Sequence, residues 1–310
     1  MSRLTDKLKS LLNAENANLQ ATFAKGTRSA RIISVCSQKG GVGKTTTASN
    51  LGAILSKNYN KKVLVVDLDP QGHIEKSLGA LIPEGIEYTP LSSVLTAKKG
   101  NILDAVIPTT WENLNLTPGD KELSETESIL ASKIGKEFIL SQVIDPALSH
   151  YDFIIFDCPP NLGNLTLNAL VCSEYCIVPC EMSVLSFEGV SDLLETLELV
   201  NERLNAGLDI LGVLFTRVDK RNTSMNEIIY THIQKQFGKK VFRNQIAVNT
   251  ALNKAQLAGL PIFEKFPSSK GAKDYQAFSE EFIEKLNKTE TKKNKSSNIS
   301  KIRAKQRKVS

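Results

Sequence analysis

No stretch constrains this chain more than Lys39-Gly40-Gly41-Val42-Gly43-Lys44-Thr45-Thr46. Before it, Ile32-Ile33-Ser34-Val35-Cys36 is apolar and β-branched and stops at polar residues, which predicts a short buried strand. After it, Ala48, Leu51, Ile54 and Leu55 recur at helical spacing. Strand, glycine loop and helix in that order are the context a phosphate-binding loop requires. Glycines let the backbone curl around an anion, and successive N–H groups with the helix N-terminus supply positive potential. Gly40, Gly41, Val42, Gly43 and Thr46 would form the cradle. Lys44 would reach the β- and γ-phosphates, and the Thr45 hydroxyl would coordinate Mg²⁺. The common G-x-x-x-x-G-K-[ST] pattern opens on a glycine, whereas this chain has Gln38 there, followed by the Gly40-Gly41 pair and an added cation, Lys39. A second cation beside a polyanion helps to stabilise charge in phosphoryl transfer. A plain glycine turn that happens to carry lysines would explain the loop but not its context.

Two later runs end in acid. Lys62-Val63-Leu64-Val65-Val66-Asp67 reads as a buried parallel strand leading into Asp67-Leu68-Asp69-Pro70-Gln71-Gly72. Carboxylates at i and i+2 of a strand end point the same way, so one can hold Mg²⁺ through water while the other orients an attacking water. Tyr151-Asp152-Phe153-Ile154-Ile155-Phe156-Asp157 is a second such strand, and it places Asp157 toward the metal. Its continuation, Cys158-Pro159-Pro160-Asn161-Leu162-Gly163, suits a loop that changes shape with the γ-phosphate.

These three motifs, in this order, resemble the deviant Walker A loop and acidic motifs of the ParA/MinD family of P-loop ATPases, and most of all its ParA-type (Soj-like) partitioning members. Leu165-Thr166-Leu167-Asn168-Ala169-Leu170 extends the likeness. Asn161 departs from it, standing where serine is common, as does His73, where asparagine is common. The resemblance implies one α/β domain over 32–287, with a mostly parallel twisted central sheet flanked by helices. It implies ATP and Mg²⁺ as cofactors. Lys39, Lys44 and Asp69 would be catalytic, with Lys39 crossing a dimer interface to the partner subunit's phosphates and Asp69 positioning the hydrolytic water. Thr45, Asp67 and Asp157 would form the metal shell, and Thr216 and Asp219 would lie by the adenine. It further implies an ATP-dependent homodimer, non-specific DNA binding, and a ParB-like partner that stimulates hydrolysis.

Charge divides the chain differently. The net charge is +6, but residues 288–310 carry +8 and residues 1–31 carry +4, leaving 32–287 at −6. The lysine- and serine-rich 288–310 stretch reads as a disordered tail able to neutralise phosphates without sequence preference. On the body, Arg217, Lys239, Lys240, Arg243 and Lys254 are the cations available to DNA, because the arginine that DNA-binding relatives commonly carry is replaced here by Thr250, Ala251 and Leu252. Within 1–31, Leu4, Leu8, Leu11 and Leu12 share a helical face ahead of a linker, a segment suited to packing or to docking a partner. A MinD-like membrane-positioning ATPase using that helix, and a scaffold that positions non-DNA cargo, are the competing readings. No apolar run of 18 residues is present, so no membrane span is expected, and a membrane is not among the expected partners. The five cysteines read as reduced thiols of a cytoplasmic protein, the resemblance implies association with the nucleoid, and Trp111 reads as core packing. Short strands are expected at 113–117, 208–216 and 239–243, and a closing helix at 275–286.

Overall fold

The computed structural model describes residues 29–219 and 221–306, with backbone alone for 184–188 and 290–306. The first strand forms as β1, Arg31–Val35, and the glycine loop leads from it into the helix Lys44–Tyr59. β2 (Val63–Asp67), β3 (Ile107–Pro108), β4 (Leu114–Thr117), β5 (Phe153–Asp157), β6 (Tyr175–Glu181) and β7 (Asp209–Thr216) complete a sheet of order β3-β4-β2-β5-β1-β6-β7. Every neighbouring pair is parallel except the edge pair β3–β4.

Parallel strands need crossovers, and crossover helices cover both faces of the sheet, which is why β2 and β5 are apolar almost without interruption. Both are buried along their whole length. Alternation then sorts their side chains. Leu64, Val66, Ile154 and Phe156 join one core, while Val63, Val65, Phe153 and Ile155 join the other. Each such side chain contributes about 1.5–3 kcal/mol when taken out of water. β1 lies between β5 and β6, and the register sets Asp157 beside both Val35 and Asp67. The glycine loop and the two acidic strand ends therefore meet at the carboxyl edge where the strand order reverses, the ligand-binding place of open α/β sheets.

Two expectations are corrected. The 239–243 strand reduces to a single-turn helix, Gly238–Lys240, and one parallel bridge from Val213 to Val241. The backbone N–H groups of Arg243 and Asn244 go instead to the Glu281 carboxylate, both at 2.9 Å, so no ladder can extend. At the other end, the closing helix runs from Lys270 through Gln306, across most of the stretch expected to lack structure. After Gly271 it contains no glycine or proline and is rich in lysine and glutamate, which are good helix formers. Phe278, Phe282 and Leu286 anchor its first half in the core. The helix expected near the N-terminus lies outside the described residues. Trp111 packs 6.0 Å from Phe263 and under the Lys57 ammonium, away from the loop. Among the described residues no helix is long and apolar enough to cross a membrane.

Candidate functional site

Gly43 takes a φ of +89°, a backbone that side chains other than glycine rarely adopt, and turns the chain into the Lys44–Tyr59 helix. No side chain caps that helix and no acid sits in its first turn, so its leading amides keep their positive potential for an anion. Lys44 folds inward, with Nζ donating to the Lys39 carbonyl at 3.3 Å. Burial pulls its ammonium below the ordinary lysine value, against the pull of Asp157 in the other direction.

The Thr45 hydroxyl donates to Asp157 Oδ2 at 2.6 Å, while Asp157 Oδ1 is buried with no partner. Burial, and then the neighbouring Asp67, push the Asp157 carboxyl well above the usual range. Asp67 is itself pushed up to about 7 by burial, although backbone N–H groups pull it the other way. Two register-paired carboxylates out of water, one with an unpaired oxygen beside a hydroxyl, are a donor set that fits Mg²⁺. Asp67 is placed differently from the other two. Its Oδ1 accepts from Asp69 N and its Oδ2 from Ile74 N, each at 2.9 Å, so it holds the 68–74 loop from behind. Asp69 faces the cleft, steadied by Gln71 N on its Oδ1. Gly119 lies directly under this loop. A Cβ there would sit 2.4 Å from the Asp69 carbonyl oxygen, so only glycine fits.

Gly43, Lys44, Thr45 and Asp69 line one side of a cleft of about 620 Å³. The opposite wall comes from the late chain. Thr216 donates its hydroxyl to the Val42 carbonyl at 2.7 Å, and Arg217 reaches the Gly41 carbonyl at 3.3 Å. Beside them, residues 246–248 run along Val218 through backbone bonds of 3.0 and 3.1 Å. Asn249 caps the helix Thr250–Leu257 through Ala251 N. Ile246, Val248, Asn249, Asn253 and Gln256 all line the cleft, and sequence reasoning had none of them. Asp219, paired there with Thr216, points elsewhere: it bonds Arg221, which pulls its carboxyl down to about 2.

Lys39 does not enter its own cradle. Its Nζ lies 2.6 Å from Glu181 Oε2 and 3.3 Å from Ser183 Oγ, at the end of β6. The cations assigned to DNA separate in the fold. Arg217 belongs to the cleft, Lys240 pairs with Asp209 at 2.9 Å, and Arg243 pairs with Glu281 and Glu284. Lys239 and Lys254 are exposed. Cys172 closes one helix while Cys176 and Cys180 lie on β6, so the three share no face.

Residues 30–210 match the AAA domain family. The sporulation initiation inhibitor protein Soj of Bacillus subtilis is 38% identical over 251 residues, covering 81% of this chain and 97% of Soj. The chain belongs to the ParA/MinD family. Like its family it is a P-loop ATPase with ATP and Mg²⁺ as cofactors. The chromosome partitioning protein ParA of Myxococcus xanthus is 35% identical, over 82% of this chain and 88% of that protein. Among solved structures, cobyrinic acid a,c-diamide synthase from Mycobacterium smegmatis with a bound ATP analogue and magnesium superposes with a TM-score of 0.69. It is 30% identical over 83% of this chain and 96% of the other. MinD from Pyrococcus horikoshii with Mg-ADP gives 0.65, at 28% identity over 83% and 97%.

Proposed function

We propose that this ParA/MinD-family ATPase is a ParA-type partitioning switch: it dimerises around ATP·Mg²⁺, holds DNA without sequence preference as a dimer, and lets go after hydrolysis. The observation that carries the reading is the contrast between two lysines of one loop. Lys44 folds into the cradle of its own subunit, whereas Lys39 is held at the rim by Glu181, where a second subunit's phosphates could meet it. Mg²⁺ held there would supply positive charge against the charge that develops in phosphoryl transfer. Thr45 and Asp157 hold its place, Lys44 and the first-turn amides orient the phosphates, and Asp69 positions the water. Asp67 keeps the Asp69 loop in register, and the wall around Val248 and Asn249 excludes water from the base. The Pro159–Gly163 loop lines the same cleft through Pro159, Pro160 and Asn161 and ends at the helix Asn164–Cys172. A γ-phosphate could thereby be felt at the surface that a ParB-like partner presses on to stimulate hydrolysis.

DNA holding rests chiefly on the 288–310 stretch with its net +8, aided by Lys239 and Lys254, since Lys240 and Arg243 already have carboxylate partners. The protein would work in the cytoplasm on the nucleoid. The test is DNA co-sedimentation with ADP or ATP across a salt series. Wild type and Asp69→Ala should bind with ATP only and Lys44→Ala should fail. A 1–287 truncation, which keeps the buried Leu286, should bind more weakly with a flatter salt slope. DNA binding indifferent to ATP would overturn the reading and direct the next assay to liposomes.

A further inference from the structure

Two described residues other than glycine have left-handed backbone, Asn60 and Arg217. Asn60 closes the Lys44–Tyr59 helix, where asparagine is at home. Arg217, with φ of +51°, has no such excuse, and side chains larger than asparagine are held there only when their surroundings demand it. The surroundings are specific. Arg217 Nη1 donates to the Gly41 carbonyl, and Nε stands 3.7 Å from Glu181 Oε1. The other oxygen of the same carboxylate accepts from Lys39 Nζ at 2.6 Å. One glutamate thus faces two cations, with the lysine close and the arginine a step back.

We propose that Arg217 is a positioning residue for Lys39, acting through competition for Glu181. The inference rests on the reading that Lys39 leaves to meet the partner subunit's phosphates. When it leaves, Glu181, with its side chain 28% exposed, loses its nearest counter-charge. A guanidinium already 3.7 Å away can close on the carboxylate with its planar fork, which a lysine cannot match. Arg217 thereby lowers the cost of releasing Lys39, and Glu181 sets that cost. The strained backbone at 217 is what aims the guanidinium between Gly41 and Glu181.

The two side chains should act with opposite signs. ATP-driven dimerisation would be followed by analytical ultracentrifugation of the full chain carrying Asp69→Ala, so that turnover does not erode the equilibrium. Arg217→Ala should raise the ATP concentration for half-dimerisation about two- to fivefold, the range of partly exposed ion pairs. Glu181→Gln should lower it by a similar factor and abolish the effect of Arg217→Ala in the double variant. Arg217→Lys should recover part of the loss. ADP affinity, which reads the integrity of the glycine loop, should move by a smaller factor than dimerisation. The proposal falls if Arg217→Ala costs as much in the Glu181→Gln background, or if ADP affinity moves as far as dimerisation, which would make Arg217 a brace for Gly41. Lys39→Ala separates the layers. If it dimerises like its parent, the crossing of Lys39 is wrong, whatever Arg217 does.

Discussion

The two walls of the cleft are built on different plans. The phosphate wall is made of short, contiguous motifs at three neighbouring strand ends, and its groups are buried and mutually perturbed: burial lowers the Lys44 ammonium and raises the Asp67 and Asp157 carboxyls. The far wall is assembled from Thr216, Arg217 and the 246–256 segment, joined by backbone bonds and an Asn249 cap, with Val248 59% exposed. The first wall stores electrostatic work that only a polyanion and a cation can relieve. The second offers shape and apolar surface. Substitutions in the first should therefore act on chemistry, and substitutions in the second on binding alike in ground and transition states.

The largest effect tests that division directly. Lys44→Ala should lower ATP turnover about 10²–10³-fold, the loss expected when one preorganised electrostatic contact to the transferred group is removed. Steady-state rates across an ATP series suffice, and a rise in KM with kcat unchanged would break the comparison. Next in size, Thr45→Ala and Asp157→Asn should each weaken Mg²⁺ binding about 10–100-fold, read by magnesium titration of the ATPase. Asp67→Asn sharpens the point. Because Asp67 holds the loop and not a free oxygen, its main cost should appear in thermal stability, at about 1–3 kcal/mol for disturbed backbone partners. On the far wall, Val248→Ala should raise KM for ATP about threefold and leave kcat in place, the signature of uniform binding. A drop in kcat would mean that this wall also senses the reacting phosphate.

The same contrast explains what could be read from residues alone. The glycine loop, Asp67-Leu68-Asp69 and Asp157 are legible because their chemistry requires neighbours in sequence: a curl of glycines, a carboxylate two residues from another, an apolar run ending in acid. The parallel sheet follows from those apolar runs. Residues 246–249 carry no such local signature. They matter because Val218 happens to bond Ile246 and Val248 across the fold, and Thr216 was noticed while its true companions were not. Asp219 has a local partner in Arg221, two residues on, which the spacing alone does not reveal. Gly119 needed the approach of the Asp69 loop from another strand before its lack of a side chain meant anything. Arg217 looked like one more surface cation until its backbone turned it inward.

The smallest effect is also the one that reads the stored work itself. Asp67 in the folded chain titrates near 7, raised from 3.8 chiefly by burial, and Asp157 is raised as well. A folded carboxyl raised in this way holds its proton more tightly than the unfolded chain does. It contributes stability that is fully present below the ordinary carboxylate value and is lost as pH rises through the folded one. The nucleotide-free protein should therefore lose stability between pH 6 and 8, by about 1 kcal/mol or roughly 2–4 °C in Tm. Mg²⁺ with ADP would require Asp157 ionised and would offset the charge of Asp67 beside it, so its stabilising effect should grow over the same interval as protons cease to compete. Thermal scans at pH 6, 7 and 8, with and without Mg-ADP, give the comparison. A Mg-ADP increment that stays flat with pH would mean that the carboxylates are already ionised before the cation arrives. The phosphate wall would then be closer in character to the far wall than its burial implies.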